Sequence, residues 1–211
     1  MASRRIATPH GPARVTNLHP VPKPRASIVL THGAGGGVDA IDLVALAEAL
    51  PGQRFEVHLV EMPWRVAGKK VASRPPVLDE SFEAVFSKLK LAGPVVIGGR
   101  SAGARVACRL ATPLDVDGVL ALAFPLHPPG RPESSRLPEL ELATCPRLVV
   151  QGEKDTFGGP SEFPEDPNLV PVPFADHSLK VPKRAPVTQE ATLDLIVAAV
   201  LAWLRTAVAP E

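Results

Sequence analysis

The sequence predicts an α/β fold in which a mostly parallel central sheet is covered by helices on both faces. Three observations predict it. Short, unbroken apolar runs recur along the chain, several end in glycine-rich turns, and segments of helical character alternate with them. Strands buried on both faces of a sheet read as continuous apolar runs rather than as an alternation. In such sheets ligand sites form beyond the carboxyl ends of the strands, so those ends are where chemistry is sought.

The elements follow in chain order. One strand is expected near Ala13–Leu18. Ala26–Thr31 is a continuous apolar run that ends in His32-Gly33-Ala34-Gly35-Gly36-Gly37. A helix over Ala40–Leu50 follows, stopped by Pro51-Gly52, and Phe55–Val60 is the next strand. Asp79–Leu91 reads as an amphipathic helix with Phe82, Val85, Phe86 and Leu89 on one face. Pro94–Gly98 is a buried strand and Ala102–Ala111 a helix packed on it. Gly118–Phe124, Arg147–Gln151 and Asn168–Val172 are further strands. Thr188–Val208 is the closing helix, with Leu193, Ile196, Val197, Val200 and Leu204 on one stripe. The interval Pro125–Pro146 is proline-rich with one short helical piece, Leu137–Leu142, so no lid domain is expected.

The chain has 211 residues, 45% of them apolar, which fits one domain over residues 1–211 with a sizeable core. Charged residues make up 21% and the formal net charge is +1, which gives no sign of steering toward nucleic acid or an anionic membrane. The 25 prolines cluster at 9–24, 125–138, 160–173 and 182–186, between apolar runs, and read as stiffened loops rather than disorder. Cys108 and Cys145 form no disulfide framework and suit a reducing cytoplasm. Residues 1–14 lack the apolar stretch of a secretory signal. The apolar stretch Leu193–Leu204 contains Asp194 and reads as too short to span a bilayer. A cytoplasmic protein is expected.

The strand Pro94–Gly98 ends in Gly99-Arg100-Ser101-Ala102-Gly103, a G-x-S-x-G string. A serine on a sharp strand-to-helix turn needs small neighbours two residues away on either side, and its hydroxyl then points into the site. Ser101 is the candidate nucleophile. The Ala102 N–H, at a helix start, is a candidate oxyanion donor. A phosphate-binding turn is disfavoured because the P-loop lysine and G-x-G-x-x-G are missing. After Arg147–Gln151 comes Gly152-Glu153-Lys154-Asp155; Asp155 is the candidate triad acid, with Glu153 the alternative. After Asn168–Val172 comes His177, the candidate general base. Ser101, Asp155 and His177 stand in the chain order of the α/β-hydrolase triad.

The loop after Ala26–Thr31 supplies a second oxyanion donor, Ala34 N–H, with Gly35 the alternative and a substrate-binding candidate. His32 reads as a residue that orients this loop. Arg100 beside the nucleophile has two readings, recognition of an anionic substrate group or a structural ion pair. His127 follows a strand end and is a further substrate-binding candidate, the other reading being a solvated loop residue. His10, His19 and His58 are scattered singly, so no metal and no cofactor is expected.

With these strand ends in place, the chain resembles the α/β-hydrolase superfamily over nearly its whole length. More narrowly, Thr31-His-Gly-Ala, Gly98-Gly-Arg-Ser-Ala-Gly-Ala-Arg and Val150-Gln-Gly-Glu-Lys-Asp-Thr-Phe-Gly resemble the KANL3/Tex-type hydrolase-like family. The chain is more distantly similar to dienelactone hydrolases, whose nucleophile is a cysteine where Ser101 stands here. The resemblance implies the Ser101–Asp155–His177 triad and no particular substrate. The expected activity is hydrolysis of a small or soluble ester through an acyl-enzyme. The alternatives are a silent scaffold that binds a ligand or protein, and an acyltransferase using the same triad.

Overall fold

The computed structural model describes residues 2–166 and 168–209; Met1, Pro167, Pro210 and Glu211 lie outside it. Among the described residues eight strands form one sheet. They are β1 (Ala2–Thr8), β2 (Gly11–Asn17), β3 (Ala26–Thr31), β4 (Phe55–Glu61), β5 (Val95–Arg100), β6 (Gly118–Leu122), β7 (Arg147–Gly152) and β8 (Leu169–Val172). Their spatial order is β1-β2-β4-β3-β5-β6-β7-β8. The first two strands run antiparallel to their neighbours, and all other pairs are parallel.

Among the described residues six α-helices flank the sheet. They are α1 (Ile41–Ala49), α2 (Pro63–Val66), α3 (Pro75–Phe86), α4 (Ala102–Leu110), α5 (Leu137–Glu141) and α6 (Gln189–Trp203). Two apolar cores result, one on each face. Leu43, Leu46, Ile196, Val200 and Trp203 from α1 and α6 meet Ile28, Leu30 and Leu120. Phe82, Val85, Val106 and Ala107 from α3 and α4 meet Val29, Ile97 and Val119 on the other side. Alternate residues of β3 and β5 thus feed opposite cores, as the two-residue period of a strand requires. Every residue of β3 and of β6 is buried, which is why these strands read as unbroken apolar runs.

Several elements differ from the sequence reading. The single strand near Ala13–Leu18 is the second arm of a hairpin that begins at Ala2. β1 escapes notice because Ile6 is its one buried hydrophobic side chain among the described ones, and its arginines face solvent at a sheet edge. α3 starts four residues earlier than expected and ends at Phe86. Pro75 and Pro76 supply helical φ at the first turn, after an extended Arg74. Past Phe86 the chain tightens into turns, with Lys88 N–H on Val85 O and Leu89 N–H on Phe86 O. α2 was not anticipated.

α6 continues through a wider turn, Leu204–Val208. Together these 20 residues, with mean hydropathy 1.7, are long and apolar enough to cross a membrane by length and composition, which corrects the shorter span read from the sequence. A helix covering a sheet meets the same test. Here Thr192, Ile196, Val200, Trp203, Leu204 and Val208 form the buried stripe. Thr188 Oγ1 caps the start by accepting the Ala191 N–H at 3.1 Å. Between β6 and β7 the chain forms loops and the five-residue α5, with no lid.

The order places a topological switch between β3 and β5. From β3 the chain moves to β4 on one side, then crosses back to β5 and proceeds outward through β8. The crevice outside the carboxyl ends of β3 and β5 is therefore open between diverging connections. Both cysteines are free, Cys108 within the α4 core and Cys145 half-buried. Burial pushes the Cys108 thiol up to about 12. In the native protein at pH 8, Cys108 is expected to resist iodoacetamide until urea unfolds the chain. Mass spectrometry finding it alkylated in the folded state would contradict this packing.

Candidate active site

The turn from β5 into α4 fixes Ser101. Its backbone has φ 52° and ψ −109°, a left-handed conformation that a non-glycine residue holds only under constraint. The Ser101 N–H donates to Leu122 O at 2.9 Å, and the Ser101 carbonyl accepts from Arg105 N–H at 3.2 Å. The turn also passes tightly over β3. A side chain at Gly103 would bring its Cβ within 2.5 Å of the Thr31 carbonyl oxygen, and one at Gly99 would strike the same oxygen. Both glycines of the G-x-S-x-G string are thus required by one neighbouring carbonyl.

The structure brings the three predicted residues together. Ser101 Oγ lies 2.9 Å from His177 Nε2, and His177 Nδ1 lies 2.8 Å from Asp155 Oδ2. Nδ1 then carries the proton toward the carboxylate, and Nε2 accepts from the serine hydroxyl. The Asp155 carboxylate is fully buried. Its Oδ1 accepts the Phe157 N–H at 2.8 Å and its Oδ2 accepts from Gln151 Nε2 at 2.9 Å. The Phe157 ring stacks on the His177 imidazole with centroids 4.2 Å apart. Glu153, the alternative acid, instead accepts the Phe174 N–H at 3.1 Å and supports the loop that carries His177.

The two candidate oxyanion donors flank the serine. Ala102 is the first residue of α4, where an N–H has no intrahelical acceptor. Ala34 and Gly35 occupy a turn closed by Gly36 N–H on Gly33 O at 3.4 Å, and both line the cavity beside Ser101. His32 holds this loop from below. Its Nε2 accepts the Met62 N–H at 3.1 Å, so its Nδ1 carries the proton that is donated to Gly33 O at 2.9 Å. Burial lowers its pKa below the ordinary 6.5.

Arg100 lines the cavity, but its guanidinium serves the protein. Nη2 donates to the carbonyl oxygen of His177. Nε faces the carboxylate of Asp42, in α1, at 3.4 Å. Asp42 is completely buried; burial raises its pKa, and Arg100 acts in the opposite direction. The ion-pair reading of Arg100 thus describes its contacts within the protein. His127 is placed elsewhere than expected. It does not line the cavity; it sits buried beneath the Phe157 loop, with Nε2 2.9 Å from Glu162 Oε2 and Nδ1 2.9 Å from Pro128 O. The Pro128 carbonyl, and then the Glu162 carboxylate, raise its pKa.

Sequence reasoning missed three supporting residues. Gln151 Nε2 bonds Phe124 O, Gly158 O and Asp155 at 2.7–3.2 Å, tying the acid to the strand end. Asp176 Oδ1 accepts the N–H groups of Ser178 and Lys180 at 2.7 and 3.0 Å, which ties the loop immediately after His177. An Asp followed two residues on by Ser is a recognisable turn signal. Arg136 is the third and projects into the cavity wall. Among the described residues no group of three or more His, Cys, Asp or Glu is placed to hold a metal.

The sheet order, the left-handed serine after β5 and the loops beyond β7 and β8 define the α/β-hydrolase fold, which serine hydrolases and esterases share. The profile of the alpha/beta hydrolase domain family matches residues 24–205, and the chain belongs to that family. An alpha-beta serine hydrolase homologue from Coxiella burnetii superposes with a TM-score of 0.70 at 16% identity, over 93% of this chain and 96% of that one. A serine hydrolase without lid from Xanthomonas campestris gives 0.67 at 19% identity, over 96% and 94%. Est1E from Butyrivibrio proteoclasticus, solved with ferulic acid bound, gives 0.72 at 15% identity, over 96% and 100%. At these identities the likeness establishes the fold.

Two measurements test this geometry. Because the folded state holds His32 neutral, the unfolded chain binds the proton more tightly, so His32 costs stability as pH falls below 6.5. His32→Gln is expected to flatten part of the drop in melting temperature between pH 7.5 and 5.5, and an unchanged slope would argue against it. Arg100→Met leaves a buried carboxylate uncompensated and is expected to cost roughly 3–5 kcal/mol in urea unfolding. Adding Asp42→Asn should recover part of that loss.

Proposed function

We propose that this chain is a serine hydrolase that cleaves small ester substrates through an acyl-enzyme. The observation that carries the reading is the hydrogen-bonded series from Ser101 Oγ through His177 to a buried Asp155, at 2.9 and 2.8 Å, opening on a cavity of about 610 Å³. A space of that size suits a small organic substrate.

The chemistry follows from the atoms present. His177 Nε2 takes the Ser101 proton as Oγ forms a bond to the ester carbonyl carbon. The carbonyl oxygen becomes an oxyanion held by the Ala34 and Ala102 N–H groups. Collapse breaks the bond to the alcohol oxygen, which leaves with the proton from Nε2. Water then gives a proton to Nε2, attacks the acyl carbon and releases the acid with the serine restored. Asp155 stabilises the imidazolium formed in each half. No cofactor enters any step. Within the superfamily we place the chain nearest the KANL3/Tex-type branch, with dienelactone hydrolases more distant. Two points of that resemblance have structural duties here: Arg100 holds His177 by its carbonyl, and Gln151 holds Asp155. A small-molecule substrate and a cytoplasmic setting complete the reading, the latter supported by two free thiols.

A fluorophosphonate probe is expected to label the protein at Ser101 and to leave Ser101→Ala unlabelled. That variant should lose about 10³-fold or more in kcat against a 4-nitrophenyl ester. Turnover close to wild type would sink the assignment, and absence of labelling would point to a silent scaffold.

A further inference from the structure

The charges around the cavity are unevenly compensated. Four basic side chains line it, from Arg100, Arg105, Arg136 and Lys180, against one carboxylate, that of Asp39. The protein as a whole is almost neutral, with a formal charge of +1, so this is a local arrangement. Arg100 is matched by Asp42. Arg105 makes a two-pronged pair with Glu139 at 2.6 and 2.8 Å. Glu139 is shared with Arg109 at 2.8 Å, and Arg109 is in turn clasped by Asp79. That series, two arginines and two acids, is closed.

Arg136 stands outside it. It is half-buried at the base of the wall that follows β6, and its Nη1 donates to the Pro125 carbonyl oxygen at 3.0 Å. Among the described residues no carboxylate lies within ion-pair distance of it, nor of Lys180 across the cavity. Burial and then the neighbouring Arg105 lower its pKa, Glu139 acts in the opposite direction and Arg131 adds to the lowering, so the cation is only partly compensated. A half-buried guanidinium held in place by one carbonyl, with further N–H groups unengaged, can take a planar carboxylate in two parallel hydrogen bonds.

We infer that the substrate is an ester bearing a carboxylate, which Arg136 binds with Lys180 adding charge at the mouth of the same cavity. This rests on the hydrolase reading of Ser101 and adds the substrate class to it. An anion at that wall supplies the carboxylate that Arg136 lacks at ion-pair distance, while a neutral ester adds no counter-charge beyond the weaker influence of Glu139. Arg136 therefore acts as a specificity residue. Its benefit appears in kcat/KM for anionic esters over neutral ones of the same size.

The test compares matched esters. One pair carries the charge on the acyl side, mono-4-nitrophenyl glutarate against 4-nitrophenyl pentanoate. The other carries it on the leaving group, 4-acetoxybenzoate against 4-acetoxybenzamide, each corrected for its alkaline hydrolysis rate. The wild type should prefer the anionic member of at least one pair by about tenfold, the scale of one charge-assisted contact. Arg136→Gln should remove that preference, Arg136→Glu should reverse it, and Arg136→Lys should retain part of it. Arg5→Gln, on the exposed edge strand β1 outside the cavity, should keep both rate and preference. A wild-type ratio near one in both pairs, or a ratio that survives Arg136→Gln, overturns the inference while leaving the hydrolase reading intact.

If no ester is turned over and Ser101 takes no probe, the hydrolase reading has failed, and binding decides the present one. Titration calorimetry with glutarate should then show binding to the wild type that Arg136→Gln loses. Equal heats from the two proteins, or none from either, would overturn it.

Discussion

The close crossing of the β5–α4 turn over the end of β3 is the constraint on which the site depends. The Thr31 carbonyl oxygen lies where any Cβ at Gly99 or Gly103 would stand. The pairing of β3 with β5 as parallel neighbours, Thr31 beside Gly99, creates that contact. With both flanking residues reduced to glycine, the chain can reverse from strand to helix within one residue. Ser101 accepts the left-handed conformation, at a cost of about 1–3 kcal/mol for a residue of this kind. The Leu122 carbonyl and the first turn of α4 hold it there.

Everything else in the site is arranged against that fixed serine. The loops beyond β7 and β8 are long enough to wander, and five groups confine them. Gln151 reaches from the end of β7 to Asp155, Glu153 holds Phe174, Asp176 ties its own turn, Phe157 covers the imidazole, and Arg100 grips the carbonyl of His177. The last of these comes from the residue next to Ser101. One element thus positions both ends of the Ser101–His177 hydrogen bond, and the buried Asp42 keeps the arginine in place. Using a charged pair below an active site is a costly way to stabilise a fold, since desolvation opposes it. As a way to fix orientation it is effective, because moving either partner leaves a bare charge in the core.

Much of this was legible in the sequence, for reasons that can be named. β3, β5, β6 and β7 are buried on both faces, so their composition alone marks them, and the glycines at the ends of β3, β5 and β7 help mark the site. Ser101 and Asp155 each follow such an end, and His177 follows the short, partly exposed β8 and is marked by its place in the chain order instead. β1 was illegible because an edge strand with Ile6 as its one buried hydrophobic side chain, among those described, has no periodicity to detect. α3 was misplaced because its first turn is set by Pro75 and Pro76 rather than by an apolar face. His127 was assigned to the site because it follows β6, but the hydrogen bond from its backbone N–H to Phe157 O turns it beneath the loop.

By itself, then, the order of residues along the chain determined the layered α/β architecture, the strand ends and the three residues proposed as a triad. These depend on local composition and on chain order, which a linear string carries. Tertiary structure alone decided the pairing of charges. Whether Arg100 faces substrate or Asp42, whether Glu153 or Asp155 meets the histidine, and which arginine is left without a carboxylate depend on distances between segments far apart in sequence. Coulombic and hydrogen-bond energies fall off over a few ångströms, so the same cations acquire different roles according to where folding sets the acids.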